Sequence, residues 1–209
     1  MKKLLIAVLA AVATMGITMT ASAAGDAAAG KAMYGICASC HGMAGEGNQA
    51  LNAPALAGLP AWYTALQINN FKAGIRGADP KDTYGVQMRP MAMTLADDAA
   101  VNNVSAYIAT LTPAKPAGTV TGDAAAGAAS YALCASCHGA MGEGNDALKA
   151  PKLAGQSDWY IVRQLQNFKA GVRGANPKDA GGMQMRPMAM TLATDDMIKN
   201  VAAHIATFK

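Results

Sequence analysis

The chain has 209 residues with 17 basic and 13 acidic side chains, a formal charge of +4. Lys2 and Lys3 belong to an amino-terminal leader, so the remainder holds 15 basic against 13 acidic residues. That weak, scattered surplus, with aromatics at 5% of the chain, excludes a nucleic-acid-binding surface built on basic patches and stacking platforms.

Residues 1–24 have a positive start, an apolar run and the small-residue pattern Ala21-Ser22-Ala23, the layout of a secretory signal peptide. The run from Leu4 to Thr20 is shorter than the roughly 20 residues that span a bilayer. Cleavage is expected after Ala23 or Ala24, releasing an exported chain. Asp26 then caps a helix predicted to run through the alanine-rich stretch to about Ser39. A second helix begins near Trp62 and closes at Gly74. "MRPMAM", residues 88–93, reads as a loop stiffened by Pro90. A third helix starts at Asp97–Asp98 and buries Val101, Val104 and Ile108.

The same text returns 97 residues later without a gap, with about two thirds of paired positions identical. Asp123 replaces Asp26, Ser157 is a candidate N-cap, and Trp159, Val162, Leu165 and Phe168 mark the second helix, which closes at Gly171. Ile198, Val201 and Ile205 mark the third. One repeat of this length is a domain duplication rather than a solenoid. The expected organisation is two domains, 25–112 and 122–209, joined by a short Pro/Gly-containing linker, 113–121, that keeps them in contact. No strand alternation is present, so the fold class is all-α, each domain being three helices with long loops. Trp62 and Trp159 are assigned to the cores.

All four cysteines lie in "CASCHGMAGEG", 37–47, and "CASCHGAMGEG", 134–144. No disulfide is therefore left to staple two small domains whose cores alone are thin. Structural zinc needs four ligands, and each half offers two Cys and one His with the next CxxC far beyond the spacing of zinc ribbons. A thioredoxin-like redox pair needs a βαβ frame that this chain lacks. Covalent attachment of c-type haem fits: cysteines at i and i+3 share one helix face, so both sulfurs reach the two vinyl groups of a single porphyrin, and the next histidine faces the iron. Two such units call for two covalently attached haem c groups, on Cys37, Cys40 and His41, and on Cys134, Cys137 and His138.

The third histidine, His204, stands where the first copy has Tyr107, so it serves no role common to both halves. Methionine is then the source of a second axial ligand, and the Met loop offers Met88, Met91 and Met93, or Met185, Met188 and Met190. Thioether sulfur raises the reduction potential relative to a second imidazole. Glu46 and Glu143 read as solvated carboxylates. Arg76 and Arg173, kept in both copies, read as partners of haem propionates or of helix carbonyls.

Taken together, the tandem CxxCH units, "PALAG" and "PKLAG", "WY…NFKAG", and the Met loop before "TLADD" or "TLATDD" resemble the two-haem cytochrome c4 family. The resemblance covers the whole chain after the leader. It implies two tandem cytochrome c-like domains facing each other across a pseudo-two-fold axis. It also implies a periplasmic electron carrier rather than an enzyme. The implied partners are a membrane quinol-oxidising complex as donor and a haem-copper terminal oxidase as acceptor, with peripheral membrane association. The family's distal methionine lies seven residues before the leucine that opens its L-S/A-D motif, here Leu95 and Leu192, which points to Met88 and Met185, with Met91 and Met188 as the alternative. Pro54 and Pro151 would offer a carbonyl to the ring N–H of each histidine. The two halves are more alike than is usual in the family, which implies haem potentials close together. Rival readings are the haem subunit of a dehydrogenase complex, such as a flavocytochrome sulfide dehydrogenase, and an open-haem enzyme such as a peroxidase.

Overall fold

The computed structural model describes residues 25–113 and 115–208, and the leader lies outside them. The first half contains α1 (Ala27–Met33), α2 (Gly35–His41), α3 (Ala61–Lys72), α4 (Gly85–Met93) and α5 (Asp98–Thr110). The second contains α6 (Ala124–His138), α7 (Asp158–Lys169), α8 (Ala180–Met190) and α9 (Asp195–Ile205). α1 and α2 together match α6. Tyr34 separates them only nominally, because its N–H still bonds the Gly30 carbonyl at 2.9 Å. Among the described residues the only β-pairing is one isolated bridge per half, Asn48 with Ala53 and Asn145 with Ala150.

Each half is built around a crossing of its first and last helices, α1 on α5 and α6 on α9. Glycine makes the crossing close: a Cβ on Gly30 would lie 1.9 Å from the Asn103 carbonyl oxygen, and one on Gly127 would lie 2.0 Å from that of Asn200. The same asparagines accept the backbone N–H of Asp26 and Asp123 through Oδ1 at 2.7 and 2.8 Å. The predicted caps form, with Asp26 and Asp123 each accepting two N–H groups of the first turn. Asp97 and Thr194 each accept one at the start of α5 and α9. Ser157 stands at the N-cap of α7 but makes no side-chain cap bond. The expected core forms from Val101, Val104 and Ile108 and from Ile198, Val201 and Ile205, all 2 to 3% exposed or less.

The Met segments are not loops. They are α4 and α8, with Pro90 and Pro187 inside the helix. Three methionines and an alanine favour helix, which outweighs one missing N–H in a short element braced by its neighbour. α3 packs on α4 and α5, and α7 on α8 and α9. The Lys72 and Lys169 ammonium groups tie the ends of α3 and α7 to the carbonyls of Leu95 and Leu192.

The halves touch, and part of their contact is reciprocal. Arg76 Nη2 donates to Gln164 Oε1 at 3.4 Å, while Arg173 Nη2 donates to Gln67 Oε1 at 3.3 Å. Such exchange of equivalent partners is the signature of a two-fold axis. Other contacts break the symmetry. Gln156 Nε2 donates to the Ala55 carbonyl at 2.9 Å and Arg163 Nη2 to Asn52 Oδ1 at 2.6 Å. Trp62 Nε1 donates to Asp146 Oδ1 at 2.6 Å, so this indole sits at the seam and not in a core. Trp159 is only half-buried, beneath the Arg163 guanidinium at 5.0 Å. The linker is held at both ends: Pro113 packs against Gly58, and the Asp158 carboxylate accepts the N–H groups of Thr119 and Val120 at 2.6 and 2.7 Å.

Candidate functional site

In each half the CxxCH residues form the last turn of a helix, at the end of α2 and of α6. Cys37 and Cys134 are half-buried against their cores, and Cys40 and Cys137 are exposed. Burial pushes the Cys37 and Cys134 thiols above their ordinary pKa. Among the described residues no group of three His, Cys, Asp or Glu side chains is placed together.

Gly42 and Gly139, at φ 84° and 83°, end these helices and reverse the chain. A buried phenol secures each reversal: Tyr34 donates to the Gly42 carbonyl at 2.9 Å and Tyr131 to that of Gly139 at 2.7 Å. Glu46 and Glu143 are exposed, as expected, but each also closes the turn, accepting the N–H of Ala44 at 2.9 Å and of Met141 at 2.8 Å. Backbone N–H groups of that turn hold the Glu143 carboxyl below its ordinary pKa.

The returning strand of chain carries Pro54 and Pro151 to the histidines. His41 Nδ1 lies 2.8 Å from the Pro54 carbonyl oxygen, and His138 Nδ1 lies 2.8 Å from that of Pro151. With Nδ1–H donated to a carbonyl, the tautomer is fixed and Nε2 keeps its lone pair for a metal. Both rings are 5% exposed, and burial lowers their pKa, which keeps them in the neutral form that binds metal. His204 instead packs against Tyr131 and Phe208, with ring centroids 5.4 and 5.0 Å away.

The methionines divide by burial. On α8, Met185 is half-buried and packs on the core cluster that Cys134 also touches, while Met188 and Met190 are 39% and 61% exposed. On α4, Met88 and Met91 are both half-buried and Met93 is 64% exposed. Uncovered apolar side chains recur at equivalent positions: Ile36 and Leu133 before the first cysteines, Val86 and Met183 before the candidate sulfurs, Met93 and Met190 after them. Paired thiols, a neutral imidazole with a free Nε2, half-buried thioethers and exposed apolar side chains are the donor set and lining that a c-type haem requires. The residues fit the group.

The family model for cytochrome c matches residues 27–112 and again 124–209. Cytochrome c4 of Azotobacter vinelandii is 34% identical over 197 residues, 88% of this chain and 90% of that one. The chain belongs to the cytochrome c4 family. It carries two covalently attached haem c groups and is a dihaem electron-transfer cytochrome. The crystal structure of reduced recombinant cytochrome c4 from Pseudomonas stutzeri superposes with a TM-score of 0.71 at 29% identity, covering 89% of this chain and all of that one. A thiosulfate dehydrogenase electron acceptor of Thiomonas intermedia is 38% identical over 180 residues, 80% of this chain and 77% of that one.

Sequence reasoning missed the cross-seam partners of Trp62, Arg76, Arg163 and Arg173, which lie 84 to 111 residues away in the chain. Conservation of Arg76 and Arg173 between the copies was the one available signal. They bond glutamine side chains rather than helix carbonyls.

Proposed function

We propose that the protein is a periplasmic carrier that passes single electrons between redox proteins and transforms no substrate. In this reading the leader, 1–24, is removed on export, and halves 25–112 and 122–209, joined by 113–121, each hold one haem. Cys37 and Cys40 tether the first and Cys134 and Cys137 the second. His41 with Met88, and His138 with Met185, are the axial pairs. Bound haem supplies one-electron iron chemistry at a potential set largely by its axial ligands. The chain does the rest. The Pro54 and Pro151 carbonyls hold each ring N–H and raise imidazole basicity, and the crossings of α1 with α5 and α6 with α9 keep the attachment turns rigid. The observation that carries the reading is the doubled lock of His Nδ1 on a proline carbonyl, 2.8 Å in each half. For the sulfur ligand, the packing of Met185 on the core cluster that Cys134 also touches favours it over exposed Met188, and Met88 follows by the repeat.

A haem-copper terminal oxidase is the proposed acceptor and a quinol-oxidising membrane complex the proposed donor. Among the described residues no helix is long and apolar enough to cross a membrane, and the proposed membrane association is peripheral. A second reading of the donor, a thiosulfate-oxidising dehydrogenase, is favoured by the 38% identity to a thiosulfate dehydrogenase electron acceptor. Stopped-flow reduction of the oxidised protein by each donor separates the two. For the iron ligands, Met88→Ala should lower the potential of one haem, open it to added imidazole and leave the other unchanged. A titration with two unaltered steps would overturn the assignment.

A further inference from the structure

Pro54, whose carbonyl takes the His41 ring N–H, lies in a segment that its own half grips on either side. Before it, Asn48 and Ala53 exchange backbone bonds at 2.7 and 2.9 Å. After it, the N–H groups of Leu56 and Ala57 reach the Gly45 carbonyl at 2.8 and 3.0 Å. Asn145 with Ala150, and Leu153 and Ala154 with Gly142, repeat that grip around Pro151. From within, the two histidine locks are built alike, and they have the same length.

From across the seam they are not alike. Gln156 of the second half donates to the Ala55 carbonyl, one residue beyond Pro54, at 2.9 Å. Its amide orientation is fixed: Oε1 accepts the Ser157 N–H at 3.0 Å, which leaves Nε2 for Ala55. Gln156 is 9% exposed and Ala55 6%, so water offers that carbonyl no ready substitute. Arg163 takes the other side of the proline, donating to Asn52 Oδ1 at 2.6 Å. Its guanidinium lies over Tyr84 of the first half, at 4.1 Å, and over Trp159 of its own, at 5.0 Å. Asn52 stands at φ 56°, a left-handed backbone that this anchor helps to hold. The opposite direction lacks these bonds by composition. Leu59 and Leu66 stand where the second half has Gln156 and Arg163, and neither side chain can donate. Trp62 does reach the second half's loop, but at the exposed side chains of Asp146 and Lys149 rather than at the backbone beside Pro151.

We infer that Gln156, with Arg163, is a positioning residue for the other half's haem ligand: the second half holds the Pro54 carbonyl on the His41 ring N–H, and the first half returns no such hold on His138. This rests on the dihaem reading above. A firmer bond to Nδ1–H makes the imidazole more basic and favours oxidised iron. The brace therefore lowers the potential of the first haem and leaves that of the second alone.

The test combines proton NMR of the fully reduced, diamagnetic dihaem protein with a spectroelectrochemical titration. It compares the parent with Gln156→Leu, which writes the first half's residue into the second. In the parent, the His41 ring N–H should exchange with solvent more slowly than that of His138. In Gln156→Leu its exchange should quicken by up to about tenfold, the factor one hydrogen bond carries. The first haem's potential should rise while the second haem's stays. Equal exchange of the two rings in the parent would overturn the brace and leave the carrier reading intact. So would a variant with intact methionine bands whose first haem is unmoved, or whose two potentials shift alike. Parent protein without two low-spin haems would overturn the carrier reading and the brace with it. Should Gln156→Leu not accumulate, Asn52→Gly reads the same segment. It keeps the left-handed backbone, removes the Arg163 acceptor and should shift the first haem in the same direction. An unmoved first haem in that variant would contradict the proposal.

Discussion

The two halves agree to a tenth of an ångström at the histidines and share one reciprocal arginine–glutamine exchange at the seam, but differ in the other contacts there. His41 and His138 meet their proline carbonyls at the same 2.8 Å, and both attachment turns close on a tyrosine hydroxyl. By contrast, the side chains that bond across the seam or onto the linker come mostly from the second half. Gln156, Asp158 and Arg163 stand where the first half has Leu59, Ala61 and Leu66. The second core is also larger, with Phe208 in place of Leu111 stacking on Tyr131 at 5.0 Å. Duplication thus preserved what a haem pocket demands and left free what docks one copy on the other.

Breaking the shared part should cost most. Met185→Ala should drop the potential of the second haem and admit external ligands, an effect drawn from the about 0.8 V range that axial ligands control. Met188→Ala, at an exposed position, should leave both potentials in place, and redox titration of the pair reads the difference.

Core deletions sharpen the comparison of the halves. Ile108→Ala and Ile205→Ala remove equivalent side chains only 2% and 3% exposed, and each should destabilise its half by about 2–5 kcal/mol. Chemical denaturation followed by near-ultraviolet signal should then show the altered half unfolding first.

At the linker the asymmetry itself is testable. Asp158→Ala strands the N–H groups of Thr119 and Val120 and should cost about 1–3 kcal/mol. It should also expose residues 115–121 to proteolysis, while Ala61→Gly at the equivalent position does not.

The phenols give a pH-dependent version. Burial above all pushes Tyr131 up to about 12. Its stabilising neutral form is complete below the ordinary phenol pKa of about 10, and the benefit fades as pH climbs from there to about 12. Thermal melts across that window should fall for the parent and flatten in Tyr131→Phe. The smallest effect expected is that of Trp62→Phe, which loses one hydrogen bond to Asp146, worth about 0.5–1.5 kcal/mol, and should loosen the seam without moving either haem spectrum.

What could be read in advance follows the same division. CxxCH, the 97-residue offset and the caps at Asp26 and Asp123 are local or repeated signals, and local chemistry decides them, whereas the proline carbonyls follow from the family resemblance. α4 and α8 were misjudged because a proline within a methionine run signals a loop, whereas packing against α3 and α7 settles the helix. Trp62 was assigned to a core because an apolar ring in an amphipathic helix usually is, and its acceptor lies 84 residues away. No spacing rule reaches that far.

The most direct test is a reductive titration of the native protein followed in the visible and far-red, counting electrons per chain. The account predicts two one-electron steps, two low-spin haems and two methionine–iron charge-transfer bands that vanish on reduction. A chain that takes up one electron, or one whose oxidised iron in either half lacks a methionine band and whose reduced iron there readily binds carbon monoxide, would contradict it.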